Sequence, residues 1–224
     1  MSTIAENGYN SLIYRVAVAS DRDNVLDFIR KHYYPEEAIT IGNAPFKQDS
    51  ADEEFSVSVI PYGASIIAVD PVENDKIVGA ILAGPIEPGE ADLMVDESKR
   101  CESENKKWSE ILLLLAHLEE NANIYERYKI NKALHIHVLG VDSAYRGKSI
   151  GVNLMQKCFD AGKSLGYPLV TVDCTSIFSQ RIAEKLQMEN IYTLAFNDYK
   201  DSNGRQVFNP PLPNTHIKTF TKTL

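Results

Sequence analysis

The residues that most clearly suggest chemistry in this sequence follow a run of mostly apolar residues, 133–141. The next segment carries Arg146, Gly147, Lys148 and Gly151, and a helical pattern begins there. The first amides of a helix have no intrahelical partner, and the helix dipole adds a partial positive charge. Because glycines let the backbone close around an anion, this turn is a candidate cradle for a pyrophosphate group. An ordinary strand-to-helix turn, with glycines for tight geometry, is the alternative.

Two common nucleotide-binding motifs do not fit this turn. Gly147, Lys148 and Ser149 match the end of a P-loop, but that motif requires glycine at position 142, where the sequence has Asp142. The dinucleotide-binding pattern G-x-G-x-x-G also fails, because Ser149 stands between Gly147 and Gly151. A phosphate site here would therefore be of another kind.

Other polar residues have simpler interpretations when each is judged alone. His135 and His137 alternate along one strand, but no third metal ligand is in view, so we expect them to be packed or at the surface. Ser176 and Ser179 stand at the start of a helical pattern, where a hydroxyl caps free amides. Glu37 reads locally as a solvated loop acid. No G-x-S-x-G accompanies the serines, so a hydrolase triad lacks support.

The hydrophobic pattern predicts strands and helices that would position these residues. Strands are predicted over residues 12–19, 65–70, 76–81, 133–141, 169–172, 191–196 and 217–223. Helices are predicted between Asp21 and Pro35, over 51–60, over 106–128, from Gly151 to Leu165 and over 176–186. Residues 84–104 are rich in glycine, proline and acids, which predicts a long loop. No composition break marks a linker, so one α/β domain over residues 1–224 is expected.

The composition is that of an ordinary globular protein, with 224 residues, 44% hydrophobic and 24% charged. The net charge of −8 argues against nucleic acid or an anionic membrane as a partner, because both require a basic surface. Cys101, Cys158 and Cys174 are too widely spaced for a disulfide framework or a zinc site, so no metal is expected. The N-terminal residues lack a leader pattern and no apolar run could span a bilayer, so a cytoplasmic location is expected.

The turn at 146–151 also resembles a known family pattern. Arg146 to Gly151 fits the R/Q-x-x-G-x-G/A motif of the acetyl-CoA-dependent GNAT N-acetyltransferases, except that Ser149 replaces the central glycine. More of the chain is similar to the insect arylalkylamine N-acetyltransferases. The similar segments, in order, are Tyr33–Glu37, Tyr145–Gly151, Asp173–Ser179 with Ala183–Leu186, and Phe196–Lys200 leading into Val207–Pro210.

The resemblance implies a GNAT acyltransferase fold of the α/β (α+β) class. Such a fold has a mixed, mostly antiparallel sheet of about seven strands, flanked by helices and splayed where acetyl-CoA enters. The strand edge at Leu139, Gly140 and Val141 would bind the pantetheine arm, and its N–H groups would stabilise a developing oxyanion. The pyrophosphate would be held by Arg146, Gly147, Lys148, Ser149, Ile150 and Gly151.

The reaction that the resemblance implies is attack of a primary amine on the acetyl thioester. Because such an amine is mostly ammonium at neutral pH, a base must take its proton. Glu37 matches the glutamate with that role in the insect branch, and Glu36 is the alternative if the loop register differs. Many GNAT enzymes protonate the departing thiolate with a tyrosine, but Ala183 stands at that position. The insect branch points instead to the hydroxyls of Thr175 or Ser176, and Ser179.

The expected acceptor is a small-molecule arylalkylamine such as tyramine, dopamine or serotonin, with Tyr33 and Tyr34 as pocket walls. The many acids of the acceptor loops, residues 32–62 and 84–110, equally suit a polyamine, and a longer acyl donor is a further alternative. An acyl-CoA-binding protein with little turnover would also fit the missing tyrosine and Ser149. The expected assembly is a monomer or weak dimer.

Overall fold

The centre of the fold is one seven-stranded sheet, seen in a computed structural model that describes residues 12–224. Its strand order is β1-β2-β3-β4-β5-β7-β6, and every neighbouring pair is antiparallel except β4 and β5. The expected GNAT-type sheet is therefore confirmed. The strands are β1 (Ile13–Val16), β2 (Ile66–Asp70), β3 (Lys76–Ile86), β4 (Ala133–Val141), β5 (Leu169–Cys174), β6 (Glu189–Ala195) and β7 (His216–Thr223).

Helices cover both faces of this sheet. They are α1 (Arg22–His32), α2 (Ala38–Gly42), α3 (Ser50–Ser58), α4 (Glu90–Cys101), α5 (Lys106–Ala122), α6 (Ile124–Tyr128), α7 (Ile150–Ser164) and α8 (Ile177–Lys185). Within residues 12–224, no helix has the length and apolar character needed to cross a membrane. The expectation that the N-terminus carries no leader concerns residues 1–11, which lie outside the described part of the chain.

The two central strands separate along their length. β4 and β5 pair in parallel at three positions, from Leu134 opposite Val170 to Ile136 opposite Val172. Beyond Ile136, β4 continues to Val141 with β3 on one side only, among the described residues. A shift in the β3–β4 register leaves His137 as an extra residue at this point, which is where a bulge bends a strand. The splay that the resemblance implied thus lies between β4 and β5.

Two apolar clusters hold the helices beside this gap. α7 packs Leu154, Met155 and Phe159 with Leu134 and Ile136 on one face of β4. On the other face, Phe28 and Ile29 of α1 pack with Val138. Each fully buried side chain of this size contributes about 1.5–3 kcal/mol to stability. The helices that flank the gap are therefore fixed to the sheet through the strand that borders it.

Two element predictions are wrong. Residues 84–104 are not a loop, because β3 runs to Ile86 and α4 occupies Glu90–Cys101. The residues that suggested a turn, Pro88 and Gly89, only mark the start of α4, where Gly89 has a φ of 96°. The stretch 106–128 is not one helix, because Asn123 adopts a left-handed conformation between α5 and α6. The predicted strands at 65–70 and 76–81 correspond to β2 and the start of β3, which pair antiparallel.

Candidate active site

A cavity of about 500 Å³ occupies the gap between β4 and β5. This volume falls in the range of small-molecule and cofactor sites. Its walls come from the α1–α2 segment, the far end of β4, the turn before α7, and the junction of β5 with α8. Glu37, Ser176 and Ser179 line it, as do all but one of the residues expected to bind the cofactor. The exception is Lys148, which is not among the lining residues.

The turn before α7 has the backbone that an anion cradle needs. Gly147 has a φ of 79° and Ser149 a φ of 59°, so both are left-handed. This conformation favours glycine, which gives a physical reason for the central glycine of the family pattern at position 149. At Gly151, an added Cβ would lie 2.8 Å from Ile182 Cδ1, so a larger residue would require the end of the Ile182 side chain to shift. Ser149, Ile150 and Gly151, at the start of α7 where the amides have no intrahelical partner, line the cavity.

The cations of this turn already have partners. Arg146 forms a 2.8 Å ion pair with Glu36, on the opposite wall of the cavity. The Lys148 ammonium lies 4.8 Å from the centre of the Tyr145 ring, which is a cation–π distance. Tyr145 in turn donates a 2.9 Å hydrogen bond to Asp70. These contacts hold the turn against β2 and α1–α2.

Asp142 does not face the anion cradle with a free charge. Its carboxylate is buried and forms a 2.8 Å ion pair with Lys76. It also accepts a 3.0 Å hydrogen bond from the Ala144 amide, which caps the single turn after β4. Burial raises the pKa of Asp142, but Lys76 and the amide outweigh it, so the net pKa is lowered. The residue that excludes a P-loop is therefore a structural carboxylate.

Glu37 is buried rather than solvated, with only 8% of its surface exposed. It caps the N-terminus of α2, because its oxygens accept hydrogen bonds of 3.0 Å from the Ile39 amide and 2.6 Å from the Thr40 amide. Thr175, at the end of β5, donates a third hydrogen bond of 2.9 Å. These three donors engage a carboxylate that has about four acceptor positions, and Glu37 lines the cavity. Glu36, by contrast, lies at the rim in its pair with Arg146.

The surroundings of Glu37 hold further ionisable groups. Burial, followed by the neighbouring Glu37 charge, raises the pKa of Asp52 to about 7. Burial also raises the pKa of Tyr33 and of Tyr34, whose hydroxyl lies 3.1 Å from Ser56 Oγ. Both tyrosines are therefore neutral at physiological pH, while Asp52 changes charge near it. The raised pKa of Asp52 could not be predicted from composition, because Asp52 is one of many acids in the sequence.

The serine hydroxyls at the β5–α8 junction stabilise the N-terminus of α8. Ser176 is the N-cap of α8 and accepts a 3.2 Å hydrogen bond from the Ser179 amide. The Ser179 hydroxyl bonds back to the Ser176 carbonyl at 2.9 Å and lies 3.1 Å from Ser176 Oγ. Ala183 is fully buried in the core and does not line the cavity. Asn214, which the sequence did not suggest, accepts from the Ile177 amide and also lines the cavity.

The two histidines are packed, as expected. His135 Nδ1 lies 2.7 Å from Thr171 Oγ1, and the His135 and His137 rings are 4.8 Å apart. Burial lowers the pKa of both, so both are neutral at pH 7. A second cavity of about 40 Å³ lies beside them and shares His137 and Asp173 with the main one. In the described part of the chain, no three potential metal ligands come together.

Comparisons with known proteins agree with this geometry. Residues 114–186 match the acetyltransferase (GNAT) family profile. The structure of a mosquito arylalkylamine N-acetyltransferase, like 5b, is 42% identical and has a TM-score of 0.90, with 96% of this chain and 100% of that chain covered. A Drosophila melanogaster polyamine N-acetyltransferase, described as forming N-acetylagmatine, is 35% identical, with a TM-score of 0.89 and coverage of 96% and 100%. An Aedes aegypti arylalkylamine N-acetyltransferase 2 shares the fold at 23% identity, with a TM-score of 0.86, 96% of this chain covered and 99% of that one.

A mostly antiparallel sheet splayed between β4 and β5, with left-handed residues in the turn beside the gap, matches the GNAT acyltransferase fold. The chain belongs to the GNAT acetyltransferase family. Within that family it is similar to insect arylalkylamine and polyamine N-acetyltransferases.

Proposed function

We propose that this protein transfers an acetyl group from acetyl-CoA to the primary amine of an arylalkylamine of the tyramine, dopamine or serotonin class. The observation that carries the proposal is the buried Glu37 carboxylate. Three hydrogen bonds hold it in a cavity of about 500 Å³, between the open edge of β4 and the N-terminus of α7. A fixed carboxylate that lines the cavity is suited to taking a proton from an incoming ammonium.

The lining of this cavity suits acetyl-CoA, which supplies the acetyl group as a thioester. The left-handed backbone at Gly147 and Ser149 and the free amides at the start of α7 suit its pyrophosphate. The unpaired edge of β4 offers amide and carbonyl groups to the pantetheine arm. The proposed cofactor-binding residues are Leu139, Gly140, Val141, Arg146, Gly147, Lys148, Ser149, Ile150 and Gly151.

In the proposed reaction, Glu37 accepts the proton that the ammonium must lose before its nitrogen can attack. The proton reaches Glu37 directly or through one water molecule. The nitrogen then bonds to the acetyl carbon as the C–S bond breaks, and the thiolate takes up the second proton that the nitrogen loses. We propose that Ser176 and Ser179 then donate hydrogen bonds to the leaving thiolate, for which the Ser179 hydroxyl rotates away from the Ser176 carbonyl. Their hydroxyls line the cavity, 3.1 Å apart. A thiol with a pKa near 8.5 needs little help to leave, so this contribution is smaller than that of Glu37.

An amine with a second cation, such as a polyamine or agmatine, is the second candidate acceptor. The observation that favours it is the acidity around the site. Asp52 lies beside Glu37, while Glu119 and Asp173 line the adjoining cavity. Burial and nearby carboxylates raise the pKa of Glu119 to about 7, and a cation bound there would relieve that repulsion. The similarity to the Drosophila polyamine N-acetyltransferase also favours this second candidate.

The test is release of CoA thiol by purified protein with acetyl-CoA and a panel of amines. The panel contains tyramine, dopamine, serotonin, histamine, agmatine, spermidine and a control without amine. Preference for the aromatic amines supports the main proposal, and preference for agmatine or spermidine supports the second. Tight CoA binding with no release for any amine would contradict both and favour an acyl-CoA-binding protein.

We also propose that residues 1–224 act as one GNAT domain in the cytoplasm, as a monomer or weak dimer. All three cysteines are free thiols, and burial raises the pKa of Cys158 and Cys174 to about 12, as suits a reducing compartment. The net charge of −8 opposes a role for nucleic acid or an anionic membrane as a partner. Size-exclusion chromatography with light scattering tests the assembly.

A further inference from the structure

Lys107, in the first turn of α5, is a buried lysine with no carboxylate in hydrogen-bond contact among residues 12–224. Only 5% of its surface is exposed. Its Nζ atom contacts four backbone carbonyls that all lie in the segment after Glu37. The distances are 2.8 Å to Thr40, 3.2 Å to Asn43, 2.7 Å to Pro45 and 2.7 Å to Lys47. A single side chain thus gathers one turn of backbone around its ammonium group.

These contacts fit a charged lysine. All four partners are acceptors, and an ammonium has three N–H donors to share among them, whereas a neutral amine has two and a lone pair that carbonyls would repel. Burial lowers the pKa of Lys107, while the charges of Asp52, Glu37 and Asp49 oppose that shift. Because a buried charge costs more to desolvate than an apolar side chain, packing alone does not explain a lysine here.

Thr40 connects Lys107 to the proposed base. Its amide donates the 2.6 Å hydrogen bond to Glu37 Oε2, and its carbonyl accepts the 2.8 Å hydrogen bond from Lys107. Both contacts lie on α2, which has five residues and is too short to be stable by itself. Glu37 therefore fixes the N-terminal end of α2, and Lys107 fixes its C-terminal end, where a cation also complements the helix dipole.

We propose that Lys107 is a positioning residue for Glu37, which it holds in place by fixing α2 at its C-terminal end. This inference rests on the proposed function only in so far as Glu37 is the base. Besides Lys107 on α5, the ionisable groups that face Glu37 are Asp52 on α3 and the neighbouring Tyr33 and Tyr34. Lys107 is the cation in this set, so it also balances the negative charge of the site.

A matched control is available on the same helix. Glu110 accepts a 2.8 Å hydrogen bond from the Asn43 side chain, so it anchors the same loop without contacting α2. Lys107→Met removes the charge and the N–H donors. Lys107→Gln removes the charge but keeps two N–H groups. Lys107→Arg keeps the charge and the N–H donors. Glu110→Ala loosens the same loop at the Asn43 side chain but leaves the Lys107 bond to Thr40 in place. Thermal unfolding of each variant with and without CoA shows that it folds.

The deciding measurement is amide hydrogen exchange at Ile39 and Thr40, combined with steady-state kinetics. For Lys107→Met we expect at least tenfold faster exchange at these two amides and about a 10- to 100-fold lower kcat, with CoA affinity within about twofold. Lys107→Gln should lie between Lys107→Met and the wild type. Lys107→Arg should recover most of both losses. Glu110→Ala should leave exchange at Ile39 and Thr40 and kcat within about twofold of the wild type.

The outcomes separate this inference from the proposed function. Faster exchange with an unchanged kcat would support the positioning role and contradict Glu37 as the base. Unchanged exchange in a folded Lys107→Met or Lys107→Gln protein would overturn the inference, whatever the kinetics show. An equal effect of Glu110→Ala on both readouts would also overturn it, because general loosening of the loop would then be sufficient. If Lys107→Met does not fold, Lys107→Gln and Lys107→Arg decide by the same criteria.

Discussion

The hydroxyl of Thr175 donates a 2.9 Å hydrogen bond to Glu37, and the two residues are 138 positions apart in the sequence. This bond joins the end of β5 to the α1–α2 segment across the mouth of the gap. It also means that the orientation of Glu37 depends on both walls of the cavity. Substitutions on either wall should therefore affect the same chemical step.

The first prediction concerns Glu37 itself. Glu37→Ala removes the proposed base and should lower kcat by about two orders of magnitude or more, while CoA affinity stays nearly intact. Steady-state kinetics with the best amine and calorimetry with CoA measure the two effects. Acetylation by Glu37→Ala at the wild-type rate would show that the base is assigned wrongly.

The second prediction separates positioning from helix capping. Thr175→Val removes one donor to Glu37 and should lower kcat by about tenfold, with a small change in thermal stability. Ser176→Ala removes the cap of α8 and should cost about 0.5–2 kcal/mol in the free energy of unfolding. Denaturant unfolding and kinetics on both variants compare them. An unchanged kcat for Thr175→Val would mean that two amides are enough to orient Glu37.

The third prediction concerns the left-handed residue before α7. Ser149 has a φ of 59°, a conformation that costs a non-glycine residue about 1 kcal/mol. Ser149→Gly should therefore raise the free energy of unfolding by up to that amount and give equal or tighter CoA binding. Calorimetry and chemical denaturation test this. A large loss of CoA affinity would mean that the Ser149 side chain itself contacts the cofactor.

The fourth prediction concerns competition for Arg146. In the structure, Glu36 occupies its guanidinium in a half-exposed ion pair. If CoA phosphates use the same guanidinium, Glu36→Gln should lower the Kd for CoA by up to about fivefold, since such a pair contributes about 0.2–1 kcal/mol. The effect should shrink at high salt. Weaker binding in Glu36→Gln would show that the ion pair supports the site instead.

The fifth prediction follows from the raised pKa of Asp52. In the folded protein, Asp52 stays protonated up to about pH 7. In the unfolded chain, with the ordinary pKa of 3.8, it loses its proton at a much lower pH. Between these values the unfolded chain binds fewer protons, so this group lowers the free energy of unfolding as pH rises. Asp52→Asn should therefore melt higher than the wild type at pH 8, by about 2–4 °C for each kcal/mol relieved, and nearly equally at pH 4. Equal melting temperatures at both pH values would contradict the raised pKa.

The sequence was informative where structure is determined locally. The strand over 133–141, the turn after it and the helix that ends near Leu165 all follow from hydrophobic periodicity, glycine and the helix-start pattern. The resemblance supplied Glu37, which local reading treated as a solvated acid. The turn signal at Pro88 and Gly89 obscured α4, because those residues precede a helix as readily as they form a loop.

The rest depends on contacts between distant parts of the chain. Lys107 donates a hydrogen bond to the carbonyl of Thr40, which is 67 positions away in the sequence. No pattern in either segment predicts this contact. The altered pKa of Asp52 likewise arises from burial beside Glu37, which only the packing of α3 against the α1–α2 segment creates. Periodicity predicts which residues are buried, but it does not predict which polar groups are buried together.

The gap between β4 and β5 has a consequence for how the protein persists in a cell. Backbone groups on the open edge of residues 137–141 need water or a ligand to satisfy them. A ligand that fills the gap binds the folded chain and not the unfolded one. At a free concentration one hundred times its Kd, such a ligand adds about 2.7 kcal/mol to the free energy of unfolding. The fraction of unfolded chains, which proteases can cleave, would then fall as this ligand becomes more abundant. The ligand concentration would therefore affect the lifetime of the protein as well as its rate of catalysis.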